Sequence, residues 1–220
     1  KETYDTLGHQ KEVNYALRDD MTKEEFINEV TDGLVAPPQY FPKNVGMNKG
    51  INKSYDDILA EGNKGLSVEE FKDLANSGAK ILDVRHEHNF VKEHIKGSWF
   101  FGLDGTFASW VGTLIEDLNT PILLVVPEGR EEEAITRLTR VGYDNVKGFL
   151  KGGIKAWEQA GEEIDAIMNM TPREFSENIA NHDVDILDVR KNSEYFSEHI
   201  VHDNLTNSCL DKMISGYADL

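Results

Sequence analysis

The sequence has a single cysteine, and this scarcity limits both its covalent structure and its chemistry. Cys209 cannot form a disulfide within the chain, so the fold must be stable without one. A charged composition with so little cysteine is typical of proteins in a reducing compartment. We therefore expect a cytoplasmic protein.

Positive charge and long apolar runs are also scarce. The 23 lysines and arginines are outnumbered by 40 aspartates and glutamates, which gives a formal net charge of −17. Such a negative field repels phosphate backbones and anionic lipid surfaces. The longest apolar run, from Ile122 to Val126, is far shorter than the roughly 20 residues that cross a bilayer. We therefore expect neither nucleic acid nor a membrane as a partner.

What the sequence does contain is an internal repeat. The segment "ILDVRHEHNFVKEHIKGSWF", which begins at Ile81, aligns with "ILDVRKNSEYFSEHIVHDNL", which begins at Ile186, and the two share "ILDVR" and "EHI". Upstream, "LSVEEF" and "MTPREF" each begin with the Ser/Thr-x-x-Glu pattern of a helix capping box. The same pattern occurs at Thr22 without a following "ILDVR", so only the helix start and the strand together define the repeat.

The order of the predicted elements indicates an α/β fold. "ILDV" is continuously apolar up to its aspartate, as expected of a strand that is buried on both faces of a parallel sheet. We predict strands near 81–84, 122–126 and 146–149, and a helix over about 131–141. "LKGG" before Ile154 is expected to be a turn and not a phosphate loop, because no Lys-Ser/Thr pair follows. The second copy of the repeat aligns only with the first half of the first copy, so we expect the second copy to be half a domain.

These motifs resemble the rhodanese family of sulfurtransferase domains, which carry an "LDVR" strand, "EHI" and a late "LxGGxxxWxxxG" segment. The stretches "NYAL", "MTKEEF" and "GLVAPPQYFPKNVGMN" resemble the C-terminal tail of metallo-β-lactamase-fold persulfide dioxygenases. The resemblance implies a rhodanese-like domain with a central parallel sheet flanked by helices at 56–165. It also implies a partial second copy at 166–220 and a mainly helical N-terminal tail at 1–55.

The resemblance also implies a function for the parent protein. The chain would be a piece of a dioxygenase fused to two rhodanese domains, which oxidises low-molecular-weight persulfides and transfers sulfur from donors such as thiosulfate. Iron is expected in the missing metallo-β-lactamase-fold domain and no cofactor in this chain, because the H-x-H-x-D-H ligand string is absent. A homo-oligomer fits this interpretation. The alternatives are a stand-alone, non-enzymatic binding or regulatory module and a relative of rhodanese-fold phosphatases.

The expected catalytic loop has no nucleophile. The resemblance implies a cysteine at the end of the second strand, in a C-x-x-G-x-R loop that stabilises a thiolate. Counting back from Gly142 places valine at the cysteine position, and residues 120–140 contain no cysteine, serine or histidine. The acidic residues there indicate either a solvated helix N-terminus or a degraded anion-binding loop. We therefore predict no catalytic residue, and the degenerate positions are Val125, Glu128, Gly129, Arg130 and Glu131.

The remaining notable side chains are predicted to be structural, and no metal site is expected. The strand-end aspartate should accept loop N–H groups, and the arginine should pair with a helix carboxylate, Glu93 or Glu198. The histidine of "EHI" should form a buried hydrogen bond, whereas "HEH" at His86 and His88 suggests a metal only weakly. Cys209 aligns with Asp104, in a linker, and is interpreted as a small buried residue. The structural residues are Asp83, Arg85, His94, Asp188, Arg190 and His199.

Overall fold

The computed structural model describes residues 4–17, 20–32, 40–47, 53–179 and 184–213. The chain divides into two compact units, 1–37 and 38–220. Residues 33–39 and 48 of the motif "GLVAPPQYFPKNVGMN" lie outside the described residues, as do residues 180–183 and 214–220. The described helices of the first unit are α1 (Leu7–Val13) and α2 (Lys23–Thr31), with a 3₁₀ turn at Tyr15–Leu17. The capping box predicted at Thr22 forms, with Glu25 as its partner.

The second unit alternates helices and strands through most of its length. Its helices are α3 (Tyr40–Met47), α4 (Tyr55–Gly62), α5 (Val68–Asn76), α6 (Glu87–Lys92), α7 (Phe107–Leu114), α8 (Glu131–Thr139), α9 (Gly153–Gln159), α10 (Pro172–Ile179) and α11 (Asn192–Ser197). Its strands are β1 (Gly65–Leu66), β2 (Lys80–Asp83), β3 (His94–Ile95), β4 (Trp99–Phe100), β5 (Ile122–Val125), β6 (Val146–Leu150), β7 (Ile164–Asp165), β8 (Ile186–Asp188) and β9 (Leu205–Asn207).

Five strands form a parallel sheet in the order β1-β6-β5-β2-β4. The three strands predicted from the sequence, β2, β5 and β6, are its centre, and each lies within about a residue of its expected bounds. β3 and β7 form a separate two-stranded antiparallel sheet. The predicted α/β fold with a central parallel sheet is therefore confirmed.

The alternation of side chains along β5 divides the core between the two faces of the sheet. Ile122 and Leu124 pack with α7 and α8 in one cluster, whereas Leu123 and Val125 pack with α5 and α9 in the other. All four side chains are fully buried, as expected of a central parallel strand covered on both faces. The helices therefore cover both faces of β5.

The second repeat reproduces the first over a shorter length. α10 begins with the expected capping box, in which Thr171 and Glu174 exchange hydrogen bonds. β8 pairs in parallel with β9, as β2 pairs with β4. Among the described residues, no strand occupies the other side of β8, where β5 lies beside β2. Residues of the second repeat are consequently much more exposed than the equivalent residues of the first repeat.

None of the described helices combines the length and the apolar character that a membrane-spanning helix requires.

Candidate functional site

The end of β2 carries a compact polar brace formed by Asp83, Arg85 and His94. The Arg85 Nε and Nη2 atoms donate to the Asp83 carboxylate at 2.9 and 2.7 Å, and the backbone N–H of Arg85 donates to the same carboxylate at 3.1 Å. The His94 ring hydrogen-bonds the Phe90 carbonyl oxygen at 2.8 Å and stacks on the Phe90 ring. All three polar side chains are buried. These buried hydrogen bonds fix the backbone where the strand becomes a loop.

One predicted contact of this brace is wrong. Arg85 was expected to pair with the carboxylate of Glu93, but its Nη2 donates to the Glu93 backbone carbonyl at 2.6 Å. The guanidinium is bidentate on Asp83 only two residues away, and its Nη2 atom also reaches the carbonyl that ends α6. The Glu93 side chain is therefore not needed for the pairing.

The second repeat contains the same brace in an exposed setting. Arg190 is bidentate on Asp188 and donates to the Glu198 carbonyl at 3.0 Å, and His199 bonds the Tyr195 carbonyl at 2.8 Å. The prediction of a Glu198 carboxylate partner is wrong for the same reason as at Glu93. The expectation that His199 is buried is also wrong, because the described residues place no equivalent of β5 over this brace.

The loop between β5 and α8 lies where the nucleophile was expected. Val125 is the last residue of β5, and its fully buried side chain packs into the α5/α9 cluster. Val126 is nearly buried on the opposite face. Gly129 takes the left-handed conformation, with φ 83°, whereas the predicted register placed the loop glycine at Glu128. A register one residue later would put Val126 at the nucleophile position, and neither valine can hold sulfur.

Acidic neighbours neutralise the loop arginine. Arg130 pairs with Asp104 at 2.8 Å and with Glu133 at 2.9 Å. Hydrogen bonds from Arg130 lower the pKa of both carboxyl groups below their ordinary values, and these contacts raise the pKa of the guanidinium in turn. Glu131 follows at the first position of α8, and Glu128 is exposed. The loop therefore presents no uncompensated positive charge to an anionic sulfur donor.

A cavity of about 460 Å³ opens at the carboxyl ends of β2 and β4, and we refer to it as the strand-end cavity. Its lining includes Phe100, Phe107, Trp110, His86, Asp104 and, from the second repeat, Leu210. The pairing of Asp104 with Arg130 places the rim of this cavity beside the β5–α8 loop. Aromatic walls with a few polar groups are typical of small-molecule sites, and this volume lies in their usual range.

Sequence reasoning missed the residues that form this cavity. Phe100 and Trp110 remain more than a third exposed although they are aromatic. Arg137 of α8 donates to the carbonyls of Leu103 and Gly105, which holds the loop before α7 in place. The "WF" pair of β4 was the available signal, but an aromatic pair in a short strand is more often core than cavity wall.

Cys209 lies outside the β5–α8 loop. Leu210 donates to the Val189 carbonyl as Leu103 donates to Val84, so Cys209 is equivalent to Gly102. The predicted alignment with Asp104 is therefore wrong, because the second repeat has two additional residues between its strands. Cys209 is also only partly buried, which corrects its interpretation as a buried residue. A hydrogen bond from the thiol to Asp211, together with partial burial, holds the pKa of Cys209 above its ordinary value.

The sheet with helices on both faces is a three-layer α/β domain. The β5–α8 loop places its site at the carboxyl ends of the parallel strands. Residues 67–160 match the family model described as "Rhodanese-like domain". The chain therefore contains a rhodanese-like domain. A comparison with curated proteins gives no match.

Two solved structures are similar to parts of this chain at low sequence identity. A metallo-β-lactamase from Staphylococcus aureus subsp. aureus COL is 21% identical, with a TM-score of 0.51, and the match covers 66% of this chain and 39% of that chain. This chain thus spans well under half of the staphylococcal protein. The Alr3790 protein from Anabaena sp. is 20% identical, with a TM-score of 0.42, and the match covers 51% of this chain and 90% of that chain.

Proposed function

We propose that this chain contributes a non-catalytic rhodanese-like module to a cytoplasmic protein that metabolises sulfane sulfur. The observation that carries the proposal is the fully buried Val125 side chain at the end of β5, where a sulfurtransferase needs an accessible thiol. The acidic partners of Arg130 support it, because they compensate the charge that would stabilise a thiolate. The rest of the domain is intact, so the chemistry is missing while the fold is kept.

The proposed parent activity is persulfide oxidation and sulfur transfer in sulfide detoxification. Two features support it: the resemblance of the first 50 residues to a dioxygenase tail, and the likeness of 66% of the chain to a metallo-β-lactamase from Staphylococcus aureus. We propose the boundaries 1–55, 56–165 and 166–220 on the same grounds. A low-molecular-weight persulfide or thiosulfate would be the parent's substrate, and a homo-oligomer fits this proposal.

Among the described residues, no group of side chains reproduces the iron site that the resemblance implies for the parent's dioxygenase domain. Within the described residues, the one group of three or more clustered potential ligands is His86, Glu87 and His88, in the rhodanese-like domain and not in the tail. Three neighbouring residues on one turn do not reproduce an H-x-H-x-D-H motif. We therefore derive no catalytic step through iron here, and we assign that metal to the proposed parent's dioxygenase domain.

The strand-end cavity favours a second candidate function, that of a binding or regulatory module. An aromatic-walled cavity beside an inactive loop could retain a ligand after the nucleophile is lost. The two functions are compatible, since a non-catalytic module within an enzyme can still bind a small molecule. Sulfur-transfer assays test the first function, whereas ligand-binding measurements test the second.

Restoring the loop tests the proposal that it is a degenerate sulfurtransferase site. In the full chain, Val125→Cys alone is expected to form no persulfide from thiosulfate, because the thiol is buried beside an acidic loop whose charges raise its pKa. Adding Glu128→Gly and Glu131→Ser removes the acidic charges, and the new glycine lets the loop take the conformation that exposes the thiol, so we expect measurable persulfide, detected by trapping with an alkylating agent and mass spectrometry. Val126→Cys in the same background tests the later register. If all restored variants fold and remain inert, the proposed loop equivalence is refuted.

A further inference from the structure

His86, Glu87 and His88 form a cluster of metal-ligating side chains where the chain leaves β2 and enters α6. Each offers one ligand atom, and these atoms lie within 4.8 Å of one another. All three side chains are exposed, so an ion could reach them from solvent. The cluster is separate from the degenerate loop, and its residues have no role in the sulfur chemistry discussed above.

The backbone brings the two imidazoles together before any ion binds. His86 is the N-cap of α6, and its Nδ1 accepts a hydrogen bond from the backbone N–H of His88 at 3.3 Å. Their ring centres lie 5.1 Å apart, with 36° between the ring planes. Two imidazoles that share one tetrahedral ion, with bonds of about 2.0–2.1 Å, have ring centres about 5 Å apart. The distance between the ring centres therefore already agrees with shared coordination. Rotation of the side chains would then point the ligand atoms at one ion.

The buried brace on the N-terminal side keeps this backbone in place. Arg85 immediately precedes His86 and is held by Asp83 and by the carbonyl that ends α6. A ligand pair fixed in this way loses less conformational freedom on binding an ion than a pair on a mobile loop. The cluster is therefore better organised than a chance set of surface histidines.

The local charge favours a cation. Glu87 supplies a carboxylate, and Asp104 lies close enough to His86 for the two to interact electrostatically. Asp104, His86 and Glu87 also share the lining of the strand-end cavity. The N-terminus of α6 opposes a positive charge, but this helix has only six residues, and the chain as a whole carries a formal charge of −17.

We propose that His86, Glu87 and His88 bind a divalent transition-metal ion of the Zn²⁺ class at the rim of the strand-end cavity. Two imidazoles and one carboxylate are ligands that Zn²⁺, Cu²⁺ and Ni²⁺ accept, whereas Mg²⁺ and Ca²⁺ prefer oxygen ligands alone. Three protein ligands leave a tetrahedral ion one position for water or for a ligand in the cavity. The expectation from the sequence was that this chain binds no metal, and the spacing of the two rings is the reason for departing from it.

The second repeat provides a matched control sequence. Its equivalent residues are Lys191, Asn192 and Ser193, which follow the same "ILDVR" strand. The N-cap backbone is nearly the same in both, with φ −68° and ψ 144° at His86 and φ −62° and ψ 150° at Lys191. The variant His86→Lys/Glu87→Asn/His88→Ser therefore carries residues that this backbone already accommodates, and it removes all three ligands.

The test is isothermal titration of the metal-free full chain with ZnCl₂ near neutral pH. We expect one ion to bind per chain, and the triple variant to bind at least about tenfold more weakly. His9→Asn, which alters an exposed histidine of the first unit, should leave the affinity unchanged. Circular dichroism and the urea midpoint without metal report whether the triple variant is folded.

Nuclear magnetic resonance gives a readout that does not depend on the variant. Adding Zn²⁺ to the wild-type chain should shift the ring signals of His86 and His88 and leave those of the buried His94 in place. The proposal is overturned if no saturable binding occurs, if the folded triple variant binds like the wild type, or if other histidines shift instead. None of these outcomes bears on the sulfur chemistry, so failure here is distinguishable from failure of the proposed function.

Discussion

Asp83 and Asp188 show how burial changes the role of one side chain. Both accept a bidentate pair from the arginine two residues later, with nearly the same distances. Asp83 is fully buried, and its Arg85 partner is 9% exposed, whereas the Arg190 side chain is 46% exposed. Water can therefore replace the carboxylate at Arg190 but not at Arg85.

This difference predicts unequal effects of the same substitution. Asp83→Asn should lower the free energy of unfolding by about 3–5 kcal/mol, because it leaves a buried guanidinium without its counter-charge. Asp188→Asn should cause a much smaller loss, because the exposed pair is already solvated. Urea denaturation of both variants measures the difference. Equal losses would show that the brace is not stabilised by burial.

Cys209 is expected to be a slow nucleophile. The hydrogen bond to Asp211 and partial burial raise the pKa of the thiol, so a smaller fraction is thiolate at neutral pH than in a free cysteine. The rate of alkylation by iodoacetamide should therefore be lower than that of glutathione at the same pH. Asp211→Asn should increase the rate by removing the carboxylate. A wild-type rate above that of glutathione would contradict this assignment.

Residue-level predictions succeeded where the sequence defines the local geometry. The capping boxes at Ser67, Thr171 and Thr22 depend only on residues three positions apart, and all three form. The prediction that Arg85 pairs with the Glu93 carboxylate was wrong because the guanidinium folds back onto Asp83. That contact depends on the side-chain conformation, which the sequence does not define. The alignment of Cys209 failed because a constant offset cannot detect two additional residues in a loop.

The central strands were predictable because each contains apolar residues between turn signals. β5 is a continuous apolar run, as expected of a central parallel strand, whereas β2 and β6 combine apolar residues with Lys80, Asp83 and Lys147. β3 and β7 have two residues each and no such pattern, so their antiparallel pairing depends on tertiary contacts. The strand-end cavity could not be predicted, because its walls come from β4, α7 and the second repeat, which are distant in sequence.

Gly148 in β6 is expected to be the least replaceable glycine of the sheet. Its φ of 147° is rare for other residues, and an added Cβ would lie 2.6 Å from the Lys64 carbonyl oxygen. Gly148→Ala should lower the free energy of unfolding by more than about 3 kcal/mol, through both strain and overlap.

Gly129 provides the matched control for that substitution. It also has a positive φ, of 83°, but an added Cβ would meet nothing within 4 Å. Gly129→Ala should therefore cost only about 1–2 kcal/mol, from backbone strain alone. Thermal or urea unfolding compares the two variants, and a loss at Gly129 as large as that at Gly148 would refute the role of the close contact.

At the scale of the whole molecule, the two repeats differ in what covers the shared brace. In the first, the sheet and its helices bury it, and the adjacent loop contains no cysteine, serine or histidine. In the second, apolar side chains such as Leu187 and Ile200 remain substantially exposed. The repeated "ILDVR" motif is therefore a structural element in both copies, and any chemistry depends on the loop that follows it.

We propose that the rhodanese-like domain of this chain transfers no sulfur. Thiocyanate formation from thiosulfate and cyanide by the full 220-residue chain tests this proposal. We expect the rate of the protein-free reaction at every protein concentration, because Val125 and Val126 lie where the thiol is needed and Arg130 is paired with acidic residues. A rate that rises in proportion to the protein concentration would contradict it.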